Sequence, residues 1–378
     1  LRNLAGRDES RVAIVKAGGI EAVVAGMLAH PSLVGLQLEG CAGLGDIAVN
    51  DENRTAVARA GGVEAVVAGM EAHRGVAGVQ KEGCETLRNL AKRDENRAAI
   101  ARAGGIEAVV LGMGEHRSMA GVQEQACAAL WNLAASGKNK SAIARAGGID
   151  AVVAGMAAHR SSVRVQEEGC AALVRLAGKE ENRTAIARAG GIEAVVAGMR
   201  AHRGVAGVQG QGCRALRSLA RNDDNKSAIA SAWGIEAVVA GMVAHRSVAG
   251  VHKSGCAALR NILAVHDENS TPIAGAGSDD AQTAIARAGG IEAVVLGMGA
   301  HGAVAGVQVQ GCSALRKLAL NEENKAKIAG ARGVEAVVAG MVAHGLIAGV
   351  QEEGCAALGN LAGMDEILMA IASAGLEP

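Results

Sequence analysis

Residues 96–134 read NRAAIARAGGIEAVVLGMGEHRSMAGVQEQACAALWNLA. The middle phrase, GGIEAVVLGM at 104–113, recurs with small changes along the whole chain. Its acidic residue falls at Glu21, Glu64, Glu107, Asp150, Glu193, Glu236, Glu292 and Glu335, a spacing of 43 with one step of 56. His30, His73, His116, His159, His202, His245, His301 and His344 keep the same metre. So do Cys41, Cys84, Cys127, Cys170, Cys213, Cys256, Cys312 and Cys355. All 8 cysteines, and all but two of the 10 histidines, are therefore copies of two repeat positions. A period in this range means stacked supersecondary units rather than a conventional globular domain.

Each unit reads as three helices. In the first, typified by 51–60, Asp51 and Glu52 open the segment and Arg59 closes it, which suits the helix dipole. It stops at Gly61-Gly62. The first of these glycines becomes Trp233, Arg332 and Ala374 in other units, while the second is always kept. The kept glycine is therefore expected to take the left-handed backbone angles of a helix cap. The second helix spans 64 to about 73, with Val66, Val67 and Met70 forming an apolar stripe. The third runs from about 76 to 91, where Val79, Cys84, Leu87 and Leu90 keep a 3.6-residue period.

Composition excludes several classes. The 378 residues carry 38 basic and 38 acidic side chains, so no net charge draws the chain to nucleic acid or anionic membrane. Half the residues are apolar, which excludes a disordered polyelectrolyte. No apolar run approaches the roughly 18 residues needed to span a bilayer, and residues 1–4 lead into no signal-peptide-like stretch. There is no Phe, no Tyr and only 2 Trp, against 54 Gly and 3 Pro. A core built from Ala, Val, Ile, Leu and Met requires its helices to approach closely.

The 96–134 segment, with a short first helix ending in Gly and a third ending Leu-Trp-Asn-Leu-Ala, resembles the armadillo repeat. The resemblance covers essentially the whole chain. It implies an all-α fold, a right-handed α-solenoid of about eight 43-residue three-helix repeats. The single array 1–378 divides at approximately 7–49, 50–92, 93–135, 136–178, 179–221, 222–264, 278–320 and 321–363. Partial repeats, 1–6 and 364–378, flank these, and residues 265–277 form an inserted segment that reads as a duplicated first helix broken by Pro272. Since solenoids need polar end caps and both ends cut mid-unit, the reading is of a fragment of a longer array, or of ends that pair.

The repeated polar columns have structural explanations. The histidines lie in the last turn of the second helix and are expected to meet its free carbonyls. Metal binding or pH sensing is the competing reading, but neighbouring helices about 8–10 Å apart do not readily share an ion through bonds of about 2 Å. The cysteines read as buried small hydrophobes, beyond disulfide reach of one another. The methionines, such as Met70 and Met113, read as core fillers. No phosphate-binding loop, nucleophile motif or isolated carboxylate pair occurs, so neither an enzyme nor a cofactor is expected.

The armadillo resemblance implies that the third helices line an inner groove holding a partner's peptide, with an Asn near each helix end reading its backbone. That position, five after Cys, holds Asn89, Asn132, Asn261 and Asn360, with Asn3 in the partial repeat. Asp46, Arg175, Ser218 and Lys317 replace it elsewhere. The Trp ladder of importin α-type arrays is missing: those positions hold Ala42, Glu85, Ala128, Ala171, Arg214, Ala257, Ser313 and Ala356. Along this face Glu39, Asp46, Glu82 and Glu85 are acidic, and Glu168, Arg175, Arg214 and Lys317 are mixed to basic. A charge gradient orienting a peptide is one reading; a solvated helix face is the other. Trp131, where other units carry Gly45, Arg88, Val174, Arg217, Arg260, Arg316 and Gly359, is the leading hot-spot candidate, with packing against the next third helix as its alternative. Trp233 reads as an anchor at a helix stop. Ser270 and Thr271 read either as a regulatory phosphorylation or docking loop or as a tolerated duplication.

The function expected is a non-enzymatic protein–protein interaction scaffold. The alternatives are a structural subunit of a large cytoskeletal, ciliary or membrane-associated assembly, or a regulatory array within a longer multidomain protein. Protein partners are expected, with no nucleic acid, since stacking aromatics are missing, and no direct membrane insertion. The unpaired cysteines imply an intracellular reducing compartment, cytoplasm or nucleus.

Overall fold

A computed structural model of the chain describes residues 8–264 and 278–362. These are helical throughout, with no strand among the described residues. The helices run in triplets. The first compact unit, residues 1–191, holds α1 (Asp8–Lys16), α2 (Gly19–Ala29), α3 (Val34–Ile47), α4 (Asp51–Arg59), α5 (Gly62–Ala72), α6 (Ala77–Leu90), α7 (Asp94–Arg102), α8 (Gly105–Glu115), α9 (Ala120–Leu133), α10 (Gly137–Arg145), α11 (Gly148–Ala158), α12 (Val163–Leu176) and α13 (Glu180–Arg188). The second, residues 192–378, holds α14 (Gly191–Ala201, entered from the boundary), α15 (Ala206–Leu219), α16 (Asp223–Ser231), α17 (Gly234–Ala244), α18 (Ala249–Ile262), α19 (Ser278–Arg287), α20 (Gly290–Ala300), α21 (Ala305–Leu318), α22 (Glu322–Gly330), α23 (Gly333–Ala343) and α24 (Ala348–Leu361). Within each unit every third helix packs on the third helix of the next repeat, and second helices stack likewise. The fold is an α-solenoid. The inserted segment 265–277, with Ser270 and Thr271, and the partial repeats 1–6 and 364–378 lie outside the described residues.

The first helix is short and mostly polar, and it is held by its ends. Asn50 caps α4, its side chain accepting from the Asn53 backbone N–H at 2.8 Å. Asn53 in turn donates from Nδ2 to the Ile47 carbonyl at the end of α3, 2.9 Å away. Asn96 does the same to Leu90, and Asn182 to Leu176. The Asn of the DENR phrase is thus a clamp between one repeat's third helix and the next repeat's first. In every first helix after α1 a single fully buried aliphatic, Val57 or Ile100 for example, anchors it to the core, contributing about 2 kcal/mol.

The double glycine works differently from the sequence expectation. The left-handed residue is the first of the pair: Gly61 has φ 83° and Gly104 φ 80°. Trp233 and Arg332 adopt the same geometry at φ 63° and 61°, at a cost of about 1–2 kcal/mol for a residue with a Cβ. Trp233 is 59% exposed there, so it is no buried anchor. The kept glycine opens the second helix in ordinary helical angles. It is kept because a Cβ on Gly62 would lie 2.6 Å from Val57 Cγ1 and 2.8 Å from the Val57 carbonyl oxygen. The first helix turns so tightly onto the second that its own backbone occupies the space.

The end of the second helix is closed by a side chain that the sequence reading passed over. Gln80, on the third helix, donates from Nε2 to the Met70 carbonyl at 2.8 Å and to the His73 carbonyl at 3.0 Å. Gln37, Gln123, Gln166, Gln209, Gln308 and Gln351 repeat both bonds. The histidines therefore do not close their own helix. His73 Nε2 reaches back to the Pro31 carbonyl at 2.7 Å, and His116 to Arg74 at 2.6 Å, so each ring ties its repeat to the one before. The next repeat's second helix presents Gly69 to Gln37 and Gly112 to Gln80, where a Cβ would come within 2.7 and 2.8 Å of the amide oxygen.

His252 takes the glutamine position in α18. It is fully buried, neither ring nitrogen has a hydrogen-bond partner, and its ring centroid lies 5.2 Å from that of His301. His301 Nε2 is also unpartnered, unlike the rings that reach back in other repeats. Burial, and then the facing His301, push the His252 pKa down to about 4; the His245 backbone pulls weakly the other way and its ring adds to the depression. The neutral form is the folded one.

Two outcomes are expected. In urea titrations Gly62→Ala should lower stability by about 1–3 kcal/mol through overpacking, and Gly61→Ala by only about 1 kcal/mol; the reverse order would contradict the packing account. Because the folded pKa of His252 lies below the ordinary value near 6.5, its contribution is intact above pH 6.5 and is lost as pH falls toward 4. The total loss is about 3 kcal/mol at the acid limit. His252→Gln should remove that part of the acid sensitivity, measured as the pH dependence of the urea midpoint.

Candidate functional site

The third helices offer the longest regular surface in each unit, and their inner sides fix how that surface is displayed. The cysteines from Cys41 through Cys312 are fully buried, Cys355 is exposed, and none of the eight forms a disulfide. Burial pushes the thiols of Cys41, Cys84, Cys170, Cys256 and Cys312 up to about 12, and Cys127 higher still. They remain neutral thiols that fill space. Beside Cys84, Gly83 receives the Met70 side chain so closely that a Cβ would sit 2.5 Å from its Cγ. The third helix lies directly on the second, which leaves its other side for the neighbouring repeats and for solvent.

On that outer side the asparagine column braces successive third helices. Asn89 Nδ2 donates to the Gly45 carbonyl at 3.2 Å, and Asn132 to Arg88 at 2.9 Å. In the second unit Asn261 donates to Arg217 at 3.0 Å, and Asn360 to Arg316 at 2.9 Å. Each amide thus spends a donor on the preceding repeat's third helix, and the Asn261 oxygen accepts from the Arg260 guanidinium at 3.0 Å. Asn132 is nearly buried and the others are partly so. The bonds fix the register: the residue four after Cys in one repeat is held against the residue five after Cys in the next.

In the first unit this face is mainly acidic. Glu39 is exposed and Asp46 half-buried. Glu82 is buried beside Lys81, with 3.2 Å between charged atoms. Glu85 pairs with Arg88 at 3.3 Å. Burial raises the Glu168 carboxyl above its usual range, while Arg88 opposes the shift. Trp131 is half-exposed, and Arg175 from the following third helix lies over its ring, 4.5 Å from the centroid. That is a cation–π contact, and it joins two candidate residues that the sequence placed in different repeats.

In the second unit the same face is basic. Arg214 and Arg217 are exposed, and Arg260, Arg316 and Lys317 are half-buried. Glu353 pairs with Arg316 at 3.1 Å. Gln282 caps the Lys317 carbonyl at 2.9 Å. The sequence reading named Arg214 and Lys317 for this surface but used Arg217, Arg260 and Arg316 only as the contrast to Trp131. Their common offset from Cys was the available signal. Among the described residues no group of three or more His, Cys, Asp or Glu could hold a metal ion, and no single helix is long and apolar enough to cross a membrane.

No family model and no curated protein matches the chain. Solved structures do. The crystal structure of an engineered protein, a Northeast Structural Genomics Consortium target, is 32% identical over 99% of this chain and 87% of its own, with a TM-score of 0.81. A second engineered protein from the same consortium is 30% identical over 65% of this chain and 96% of its own, with a TM-score of 0.57. A structure from work on a phosphorylation switch between cadherin and beta-catenin is 17% identical over 93% of this chain and 74% of its own, at a TM-score of 0.48, too low to carry anything further. By identity and coverage, the chain belongs with the first of these engineered proteins to one family of helical-repeat solenoids.

Proposed function

We propose that the chain is a non-enzymatic interaction scaffold of armadillo type, whose third-helix faces hold an extended or helical segment of a partner protein. The observation that carries this reading is the brace of asparagine amides. It holds neighbouring third helices in register, among charged side chains that are mostly exposed or half-buried. A long, ordered, polar surface of this kind suits segment binding, because the protein's own side chains are already fixed. The buried thiols of Cys84 and Cys170 stay neutral, and residues present as repeated columns differ from the single asymmetric constellation that catalysis uses.

Within the first unit, Trp131 with Arg175 stacked on it is the proposed anchor, Asn89 and Asn132 supply acceptors, and Glu82 and Glu85 supply negative charge. Aromatic and arginine side chains dominate binding energy at interfaces, and here one of each is already assembled. In the second unit Asn360 takes the acceptor role, and Asn261, whose oxygen already accepts from Arg260, stands with Arg214 and Lys317 on the same face.

Peptide-display selection against the intact protein tests the reading. Selected segments should bind Trp131→Ala at least about ten-fold more weakly, equivalent to about 1.4 kcal/mol, and Glu85→Lys should shift the charge preference of the segments recovered. Segments that bind both variants unchanged would move the contact surface away from this face. Independently, a double-mutant cycle over Trp131→Leu and Arg175→Met should return a coupling of about 0.5–1 kcal/mol in stability, and zero coupling would remove the stack.

A further inference from the structure

Arg217, Arg260 and Arg316 occupy one position, four after Cys, on α15, α18 and α21. Asn261 of α18 holds the Arg217 carbonyl of α15, which sets the register of those two helices; α21 packs on α18, and its Arg316 carbonyl is held by Asn360 of α24. Lys317 adjoins Arg316 on the same helix. Opposing negative charge is scarce. Glu353 pairs with Arg316, while the guanidinium groups of Arg217 and Arg260 form no ion pair with a carboxylate among the described residues. At the other face positions of these helices stand Gln211, Arg214, Ser218, Ser254, Ala257, Gln310 and Ser313, none of them acidic.

The arrangement is costly without an anion. Partial burial, then Arg217 and Arg316, lower the Arg260 pKa, with Glu353 opposing. Partial burial, then Arg316, Arg260 and Lys226, lower that of Lys317, again with Glu353 opposing. Cations crowded on a half-buried face destabilise one another, and a partner's carboxylates would relieve this while forming bidentate guanidinium pairs.

Spacing narrows the partner. Packed helices lie about 8–10 Å apart. A polyproline II strand rises about 3.1 Å per residue with three residues per turn. Every third side chain of such a strand returns to one face after about 9 Å, which falls within the general spacing of packed helices such as those that carry the arginines. We propose that the third-helix face of the second unit, through Arg217, Arg260, Arg316 and Lys317, binds an extended acidic protein segment with a carboxylate at every third residue. This rests on reading the chain as an interaction scaffold. Single-stranded nucleic acid fits less well, because its binding sites add stacking aromatics, and the chain has no Phe or Tyr and carries its two Trp elsewhere.

The test uses the intact protein and fluorescein-labelled peptides of about twelve residues, read by fluorescence anisotropy at low and moderate salt. One peptide repeats Glu-Pro-Pro. A second has the same composition with its glutamates gathered at one end. A third repeats Lys-Pro-Pro. The Glu-Pro-Pro peptide should bind at least ten-fold tighter than either control, and Arg217→Gln/Arg260→Gln/Arg316→Gln should lose at least ten-fold. The triple Arg→Glu variant should instead prefer Lys-Pro-Pro, with circular dichroism showing unchanged helicity in both. Equal binding of the spaced and gathered peptides, or retention by the Gln variant, overturns the inference. A single-stranded oligonucleotide that binds tighter and depends on the same arginines overturns it in favour of nucleic acid. Display-selected segments that still bind through Trp131 while the acidic peptide fails would leave the scaffold reading standing and remove only this one.

Discussion

The contact on which the array depends is the one between a glutamine amide and a helix with no side chain to obstruct it. Gln80 closes the end of its own second helix through two carbonyls, and its amide oxygen presses against Gly112 of the next repeat. One side chain thereby terminates a helix inside one repeat and sets the distance to the next. The Met70–Gly83 contact does the corresponding work between second and third helices. Both contacts replace bulk with proximity. They also give a physical reason for a core without Phe or Tyr: helices this close leave room for Val, Ile, Leu, Met and Cys, but little for a ring. His252 is the local exception, and there a Cβ on the facing Gly297 would lie 2.3 Å from the imidazole Nδ1.

With the spacing fixed, the third helices become a rail on which charge can vary without disturbing the fold. Positions two before, and one, four and five after Cys carry Glu, Arg, Lys, Ala or Trp in different repeats. This is how two compact units with nearly the same core carry faces of opposite sign. The first has Glu39, Asp46, Glu82, Glu85 and Glu168. The second has Arg214, Arg217, Arg260, Arg316 and Lys317. A zero net charge for the chain conceals this division.

What the sequence made legible was the periodic part of one repeat. Helix lengths, the apolar stripes and the buried cysteines other than Cys355, which is exposed, follow from local period, and the structure has the helix bounds within a residue or two. What it concealed was contact between helices, whether across the repeat boundary or within one repeat. His73 was placed on its own helix end, when its partner is the Pro31 carbonyl 42 residues back. The left-handed angle was given to the glycine that never varies, but invariance there reflects a Val57 carbonyl too close for any Cβ. The glutamine column went unread because a polar residue on a third helix looks like solvent-facing surface until its helix is seen against the second. The candidate site had the same limit. Trp131 and Arg175 could be named separately, yet only folding brings the guanidinium over the indole.

The asparagine braces carry one more implication. A surface whose amides are already engaged with backbone carbonyls has little conformational freedom left to surrender. In any association through that face, the entropic penalty would fall almost wholly on the incoming chain. Stiff, proline-rich or otherwise preformed segments would therefore gain more from this protein than floppy ones of equal charge. Selectivity would then derive from the visitor's rigidity as much as from its sequence.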